Sequence, residues 1–351
     1  LFKQSYRLIT GLKICYFCFM KSPLKILLLF FLFVSCSNDG DTGLLGESPP
    51  VVASEATYNV VFIDGDLDNS LIYGEGLSHN SWNSADYTSM LLKLDAYVPV
   101  NAPENRPAIL IIHGGGLQGG SRKAPQMVAL SNYFAQRGWV AFSIDYRLEG
   151  DKGSTPAAWH DFAENNASSF ADAMSVYPAS RDAKAAVRWV YANADEYGIN
   201  TGFITACGGS AGAYLSVTLG VSEDVDFTNE LSLDEDPSLS TTNLNQTSKI
   251  HSIIDFWGGG GHITGLYLVF GVQRFDATDA PILIVHGDSD PVVNFSQAED
   301  LRDRYQATGA DYEFHRLVGA GHGPWSATVD GMSLSELAAD FIVRKQGLVV
   351  E

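Results

Sequence analysis

Basic residues, cysteine and long apolar runs are all scarce in this sequence. The 351 residues include 22 Lys or Arg against 41 Asp or Glu, and the net charge is −19. A surface with this charge repels nucleic acid and anionic membranes, which excludes nucleic acid as a partner. The apolar run at residues 26–34 is too short to cross a bilayer as a helix.

The first 35 residues differ from the rest, because they contain five basic residues and no acidic one. Met20–Lys25 followed by Ile26–Val34 matches the basic and apolar regions of a secretory signal. Residues 1–19 contain no methionine and precede Met20, so we interpret them as spurious upstream sequence. The pattern predicts that the mature protein is exported.

The apolar run ends at Ser35-Cys36 and continues as Ser-Asn-Asp-Gly-Asp, which resembles a bacterial lipoprotein signal. The resemblance implies that Cys36 is lipidated and anchors the protein to a membrane, in the periplasm or at the cell surface. Plain cleavage and free secretion is the alternative, because Phe33 stands where that pattern prefers an aliphatic residue. Cleavage before Cys36 removes Cys15 and Cys18, so Cys36 and Cys207 are the cysteines of the mature chain. If Cys36 is acylated, no disulfide can form within the chain.

Residues 36–57 are small, polar and contain prolines, which predicts a flexible tether before a domain at 58–351. In that domain strand-like runs alternate with helix-like runs. This alternation predicts an α/β fold, with a mostly parallel eight-stranded sheet and helices on both faces. Polar stretches near 149–178 and 221–249 interrupt it and are expected to be insertions, either loops over the active-site edge or surface excursions. The expected strands are Asn59–Ile63, Leu91–Val98, Ala108–Ile112, Val140–Ile144, Phe203–Cys207, Ile250–Phe256, Pro281–Val285 and Tyr312–Leu317.

The segment Gly208-Gly209-Ser210-Ala211-Gly212 lies between an expected strand and an expected helix. Glycines around one serine allow the sharp turn of a nucleophile elbow, which exposes the serine hydroxyl at the carboxyl end of a sheet. His113-Gly-Gly-Gly116 directly follows another expected strand, where backbone N–H groups can meet an oxyanion. We therefore expect Gly115, Gly116 and Ala211 to supply oxyanion donors.

A carboxylate and an imidazole also follow expected strands. Asp290 follows Pro281–Val285, and His322 lies in a glycine turn after Tyr312–Leu317. The chain order Ser210, Asp290, His322 is typical of an α/β-hydrolase triad. Asp288 is the nearest rival for the acid and Asp255 a more distant one, while His113 and His286 are interpreted as structural.

These motifs, together with DYRL at 145–148 and DAKAAVRW at 182–189, resemble the esterase and lipase branch related to hormone-sensitive lipase. The resemblance spans roughly residues 91–343 and is strongest to bacterial carboxylesterases of the feruloyl or acetyl esterase type. It implies an α/β-hydrolase fold, Ser210 as nucleophile, Asp290 as acid, His322 as base and no cofactor. The implied substrate is a short-chain or plant-polysaccharide-linked carboxylic ester.

Two further residues are predicted to line the substrate pocket. Leu117 stands where an aromatic residue often follows HGGG, and Trp159 belongs to the long polar stretch near 149–178. A loop of this length at the carboxyl end of a strand can form a pocket wall, although the same aromatics would also pin a surface loop.

Two other functions remain open. A serine peptidase or acyl-peptide hydrolase shares this elbow and triad order, but such enzymes usually carry a large upstream domain, and only residues 37–57 separate Cys36 from the expected fold. A catalytically inactive binding module would typically lack a triad member. Asp64–Asn69 with Glu75 imitates a calcium loop, but Asn69 replaces the required glycine, so we expect a solvated hairpin turn and no metal.

Overall fold

The computed structural model describes residues 48–351. Within them, eight strands hydrogen-bond side by side in the order β10-β9-β8-β7-β5-β6-β4-β2, and β3 pairs with the free part of β4. Two short pairs, β1 with β13 and β11 with β12, lie outside this sheet. The strands are β1 (Val51–Val52), β2 (Val60–Ile63), β3 (Ile72–His79), β4 (Tyr87–Pro99), β5 (Arg106–Ile112), β6 (Val140–Ile144), β7 (Ile199–Gly209), β8 (Ser252–Phe256), β9 (Ile282–Gly287), β10 (Tyr312–Leu317), β11 (Thr328–Val329), β12 (Met332–Ser333) and β13 (Val349–Val350).

The sheet is parallel from β6 through β5, β7, β8 and β9 to β10, whereas β4 and β2 join antiparallel at one edge. The central parallel strands are short, almost entirely buried apolar runs, as expected for strands covered on both faces. The predicted α/β fold with a mostly parallel sheet is therefore confirmed. The sheet has nine strands and not the predicted eight, because β3, which was not predicted, pairs with β4.

Helices cover both faces of the sheet. In β5, Ile109 and Ile111 pack in one core with α1 and α8, while Leu110 and Ile112 pack in the other with α3 and α5. Alternate residues of a strand point to opposite faces, so one strand supplies both cores. The helices are α1 (Pro125–Ala135), α2 (Ala157–Asn166), α3 (Phe170–Ala192), α4 (Ala194–Tyr197), α5 (Ala211–Val221), α6 (Gly261–Phe270), α7 (Ser296–Thr308) and α8 (Leu334–Gln346).

The folded domain begins before Tyr58, which corrects the predicted tether over its described part. β1 pairs in parallel with β13, and the Val52 side chain is buried. The N–H groups of Ala53 and Thr57 donate to carbonyls at the end of α1. These long-range contacts hold residues that, by composition alone, have the profile of a tether. The predictions for residues 1–47, including the export signal and lipidation of Cys36, lie outside the described residues.

The stretch near 149–178 is largely helical, which also differs from expectation. It contains α2 and the first part of α3, a helix that continues through Pro178. Proline in a helix interior removes a backbone donor, so the local sequence favours a break at Pro178 over the continuous helix that is observed. The stretch near 221–249 is mostly irregular, with one short turn of 3₁₀-helix at Pro237–Thr241. Among residues 48–351, no helix has the combined length and apolar character needed to span a membrane.

Candidate active site

Ser210 occupies the sharp turn between β7 and α5. Its backbone has φ 56° and ψ −123°, a conformation that a non-glycine residue rarely adopts. A Cβ on Gly208 would lie 2.3 Å from the backbone of Gly212, and a Cβ on Gly212 would lie 2.1 Å from the carbonyl oxygen of Ile112. Glycine is therefore required on both sides, because strand and helix approach too closely for any side chain.

A continuous chain of hydrogen bonds joins Ser210, His322 and Asp290. Nε2 of His322 lies 3.0 Å from Oγ of Ser210, and Nδ1 lies 2.7 Å from Oδ2 of Asp290. The other Asp290 oxygen accepts the backbone N–H groups of Val292 and Val293 at 2.8 and 3.0 Å. The structure thus brings together the three side chains that the sequence singled out from three different strand ends.

The environment of Asp290 favours its charged form. Burial by itself raises the pKa of this carboxyl, but hydrogen bonds from His322 and from the two backbone N–H groups outweigh burial and hold the pKa below its ordinary value. An ionised acceptor on Nδ1 fixes the proton there and leaves Nε2 free to accept a proton from Ser210.

Neither rival acid faces His322. The Asp288 carboxylate pairs with Arg316 at 2.7 Å and accepts the Gly319 N–H, also at 2.7 Å. Asp255 is fully buried and accepts the Gly258 N–H at 2.9 Å, and burial raises its pKa to about 7. Asp290 is therefore the carboxylate that orients the imidazole.

Gly115 and Gly116 form a turn beside Ser210 that depends on glycine. Their φ angles are 117° and 65°, and a Cβ on Gly115 would lie 2.1 Å from the Gly119 carbonyl oxygen. Both glycines line the same pocket as Ser210 and His322. Ala211 is the first residue of α5, so its N–H has no acceptor within the helix. This arrangement can supply backbone donors to an oxyanion formed at Ser210.

The pocket beside Ser210 has a volume of about 480 Å³ and one aromatic wall. Trp257 follows β8 and Trp325 lies in the loop after His322, and their rings meet edge to face with centroids 4.7 Å apart. Met127 and Gln126 of α1 line the pocket as well. None of these four residues was predicted from the sequence. The available signal was that Trp257 directly follows β8 and that Trp325 lies in the same loop as His322.

Leu117 and Trp159 do not line the pocket of Ser210, in contrast to their prediction. Leu117 is buried, with φ 59°, and its carbonyl accepts the Glu149 N–H at 2.7 Å. Trp159 lines a separate pocket of about 650 Å³ and donates its indole N–H to the Ala173 carbonyl at 2.8 Å. The physical reason is that α2 packs on α3 and α6 and does not extend over Ser210.

The remaining predicted positions have structural partners. The His113 and His286 rings contact the backbone carbonyls of Gly114 and Val293 at 2.8 and 2.9 Å. In the acidic loop that imitates a calcium site, Asp64 and Asp66 both bind Lys123 at 2.7 Å. Residues 48–351 contain no group of three or more His, Cys, Asp or Glu side chains placed to hold a metal ion.

The fold is that of the α/β-hydrolase class, and the site has the Ser-His-Asp geometry typical of its serine enzymes. A family model named BD-FAE matches residues 94–173 and 171–264, and the model of the dienelactone hydrolase family matches residues 246–339. Together with the motifs, these matches make the chain an α/β-hydrolase related to esterases of the hormone-sensitive lipase type.

Individual relatives agree with that class. Esterase LipC of Mycobacterium tuberculosis is 27% identical over 62% of this chain and 53% of its own length. The chain thus spans about half the length of that relative. The butyrate-bound structure of an esterase from Thermogutta terrifontis is 26% identical over 73% of this chain and 90% of its own, with a TM-score of 0.54. The same esterase phosphorylated by paraoxon is 25% identical over 78% and 95% of the two chains, with a TM-score of 0.53.

Proposed function

We propose that the protein is a serine carboxylesterase that works through an acyl-enzyme. The hydrogen-bonded chain from Ser210 through His322 to Asp290, beside a glycine turn with backbone donors, carries this proposal. Esterases among its relatives, and the phosphorylated state of one of them, support it.

The residues of the site have distinct chemical roles. His322 Nε2 takes the proton of Ser210 as Oγ attacks the ester carbonyl carbon, and Asp290 stabilises the imidazolium that forms. The N–H groups of Gly115, Gly116 and Ala211 stabilise the oxyanion. His322 then gives the proton to the leaving alcohol. Water, deprotonated by the same imidazole, attacks the acyl-enzyme carbonyl carbon. His322 then returns that proton to Oγ of Ser210 as the bond between Oγ and the acyl carbon breaks and the acid leaves.

The substrate class follows from the pocket and the motifs. A volume of about 480 Å³ with an aromatic wall suits a short acyl group, and butyrate is bound in one similar esterase. The resemblance of the motifs to feruloyl and acetyl esterases favours a plant polysaccharide as the alcohol part. The closest enzymatic alternative, a peptidase, has no observation in this site that favours it.

The decisive experiment compares wild type, Ser210→Ala and Ser289→Ala on p-nitrophenyl esters from acetate to octanoate, with acetylated xylan and methyl ferulate alongside. Ser289 is the matched control, because it is exposed and its hydroxyl donates only to the Asp288 carboxylate, at 3.1 Å. We expect Ser210→Ala to lose several orders of magnitude in kcat and Ser289→Ala to stay near wild type. Paraoxon should add one phosphoryl group to wild type, measured by intact mass, and none to Ser210→Ala. Undiminished turnover by Ser210→Ala refutes the proposal.

We also propose that the protein is exported and anchored through a lipid on Cys36. The basic segment, the apolar run and Ser35-Cys36 support this location. In a bacterial host the full chain should sediment with membranes, and Cys36→Ala should release it or block its processing. Wild-type protein that is soluble and cut at another residue contradicts the anchor and favours free secretion.

A further inference from the structure

Trp257 has an unusual backbone for a large side chain. It follows β8 directly, with φ 47°, in the left-handed region that bulky residues rarely occupy. Ser210 shares this property on the neighbouring strand, and both residues line one pocket. Strained conformations of this kind persist only where surrounding contacts hold them, and they cluster at functional sites.

Specific contacts hold Trp257 in this conformation. The backbone N–H of Trp257 donates to the Val285 carbonyl at 2.8 Å. The buried Asp255 carboxylate accepts the backbone N–H of Gly258 at 2.9 Å, which closes the turn around Trp257. The Phe256 ring stacks on the indole at 5.6 Å, and the Trp325 ring meets it edge-on at 4.7 Å. The position of the indole is therefore fixed from both ends of the turn.

The indole nitrogen lies next to the residue that precedes the nucleophile. A Cβ on Gly209 would lie 3.2 Å from Nε1 of Trp257 and 2.8 Å from the Trp325 ring. A side chain at Gly208 or Gly212 would collide with backbone atoms, whereas a side chain at Gly209 would collide with these two indole rings. The glycine at position 209 therefore shows that the aromatic wall lies close to Ser210.

Nε1 of Trp257 donates no hydrogen bond to any residue from Ser48 to Glu351, although only 1% of the residue is exposed, and, unlike Nε1 of Trp139, this nitrogen is not fully enclosed by protein. By contrast, Trp159 is similarly buried and donates to the Ala173 carbonyl. The indole N–H of a largely buried tryptophan normally has a partner. Because Trp257 lines the pocket of Ser210, the acceptor for its N–H can come from a molecule bound there.

The order of the strands separates the indole N–H of Trp257 from the oxyanion donors. β7 carries Ser210 and lies between β5, which leads into Gly115 and Gly116, and β8, which leads into Trp257. The reacting carbonyl oxygen belongs on the β5 side, where the backbone donors lie. The indole N–H on the β8 side therefore faces a different part of the ester.

We propose that the indole N–H of Trp257 donates a hydrogen bond to an ether or hydroxyl oxygen of the bound ester, and not to its carbonyl oxygen. Trp257 is then a specificity-determining residue for esters that carry such an additional oxygen. This inference rests on the proposed esterase function. The oxygen can belong to the acyl part or to the alcohol part, and substrates of matched shape distinguish the two.

The test measures kcat/KM of wild type and Trp257→Phe on two matched pairs of esters. The acyl pair is p-nitrophenyl methoxyacetate with p-nitrophenyl butyrate, and the alcohol pair is 2-methoxyethyl butyrate with butyl butyrate. In each pair one CH₂ replaces one oxygen. The readout is the ratio within a pair, so a uniform loss of activity cancels. A variant with benzothienylalanine at position 257, which keeps the ring size and replaces N–H by sulfur, makes the same comparison if phenylalanine disturbs folding.

In the Trp257 variants, we expect kcat/KM for the methoxy ester of at least one pair to fall about 3- to 10-fold more than kcat/KM for its partner. This is the range that the loss of one neutral hydrogen bond gives. The affected pair identifies the part of the substrate that contacts Trp257. The matched control is Trp139→Phe, a buried indole without a hydrogen-bond partner that lies outside the pocket, and its ratios should equal those of wild type.

Ratios that are unchanged by both Trp257 variants in both pairs overturn the inference, while wild-type hydrolysis of the four esters still supports the esterase function. If wild type hydrolyses none of them faster than Ser210→Ala does, the proposed function fails, and the inference fails with it.

Discussion

Arg147 and Asp182 form a buried ion pair that joins the segment after β6 to the middle of α3. Arg147 Nη2 lies 2.7 Å from Asp182 Oδ1, and the Arg147 backbone N–H donates to Oδ2 of the same carboxylate at 2.8 Å. Both side chains are at most 2% exposed. The pair fixes the loop after β6 against α3, close to the sheet edge that carries the active site.

Removing one partner should therefore destabilise the fold strongly. Asp182→Ala leaves the Arg147 charge buried, and we expect the free energy of unfolding to fall by about 3–5 kcal/mol. Urea denaturation monitored by tryptophan fluorescence measures it. The control, Asp340→Ala, breaks an exposed pair with Arg344 and should change stability by less than about 1 kcal/mol. Equal effects of the two variants would contradict the special role of the buried pair.

Asp290→Asn should damage catalysis far more than Asp288→Asn. An amide at 290 can no longer hold the imidazole tautomer that leaves Nε2 free, and a fall of about 10⁴-fold in kcat is expected. Asp288 contacts Arg316 and Gly319, away from His322, so Asp288→Asn should remain within about tenfold of wild type. The measurement is kcat on p-nitrophenyl butyrate, and a reversed order of the two variants would reassign the acid.

Asp255 should make stability depend on pH. Its pKa is about 7 in the folded protein, against an ordinary value of 3.8. The folded state holds this proton more tightly than the unfolded chain. The resulting stabilisation is fully present below about pH 4 and is lost as the pH rises toward 7.

Asp255→Asn removes that charge, so the variant should gain stability over wild type as the pH rises from 4 to 8, by at most about 4 kcal/mol. Urea unfolding at several pH values measures the difference. Asp234→Asn, at an exposed position, should leave the pH dependence of wild type unchanged. A stability difference that is independent of pH would exclude a titrating Asp255.

Trp159→Ala should affect stability and leave substrate choice unchanged. Trp159 packs against Tyr177, Phe227 and Phe270 in a pocket separate from that of Ser210. Truncation of such a buried ring costs about 3–5 kcal/mol. Thermal unfolding should show this loss, while kcat/KM across an acyl series keeps the wild-type profile. A changed preference between short and long acyl chains would mean that α2 reaches the substrate after all.

The triad could be predicted from the sequence because each member lies at or shortly after the end of a predicted strand, in a glycine-containing segment. In a parallel sheet such positions converge at one edge, so local patterns suffice to bring Ser210, Asp290 and His322 together. The choice of Asp290 over Asp288 rested on family resemblance. In the structure it follows from which carboxylate Arg316 already binds.

The aromatic wall and β1 could not be predicted in this way. Trp257 and Trp325 lie in different loops, and their contact depends on how those loops close over Gly209. β1 is a two-residue strand whose partner lies at the other end of the domain, so no local periodicity marks it. Trp159 was misplaced because its aromatic neighbours suit either a pocket wall or a helix that packs on the domain, and composition does not distinguish the two.

β1 and the active site lie at opposite ends of the parallel strands. Residues 48–57 contact Asn105, Gln136 and Arg137, which precede β5 and β6, so this segment lies at the amino ends of the parallel strands. Ser210 lies at the carboxyl end of β7, on the opposite edge of the sheet. Residues 48–57 and the pocket of Ser210 therefore lie at opposite ends of the parallel strands, so a substitution in this segment makes no direct contact with a molecule bound in the pocket.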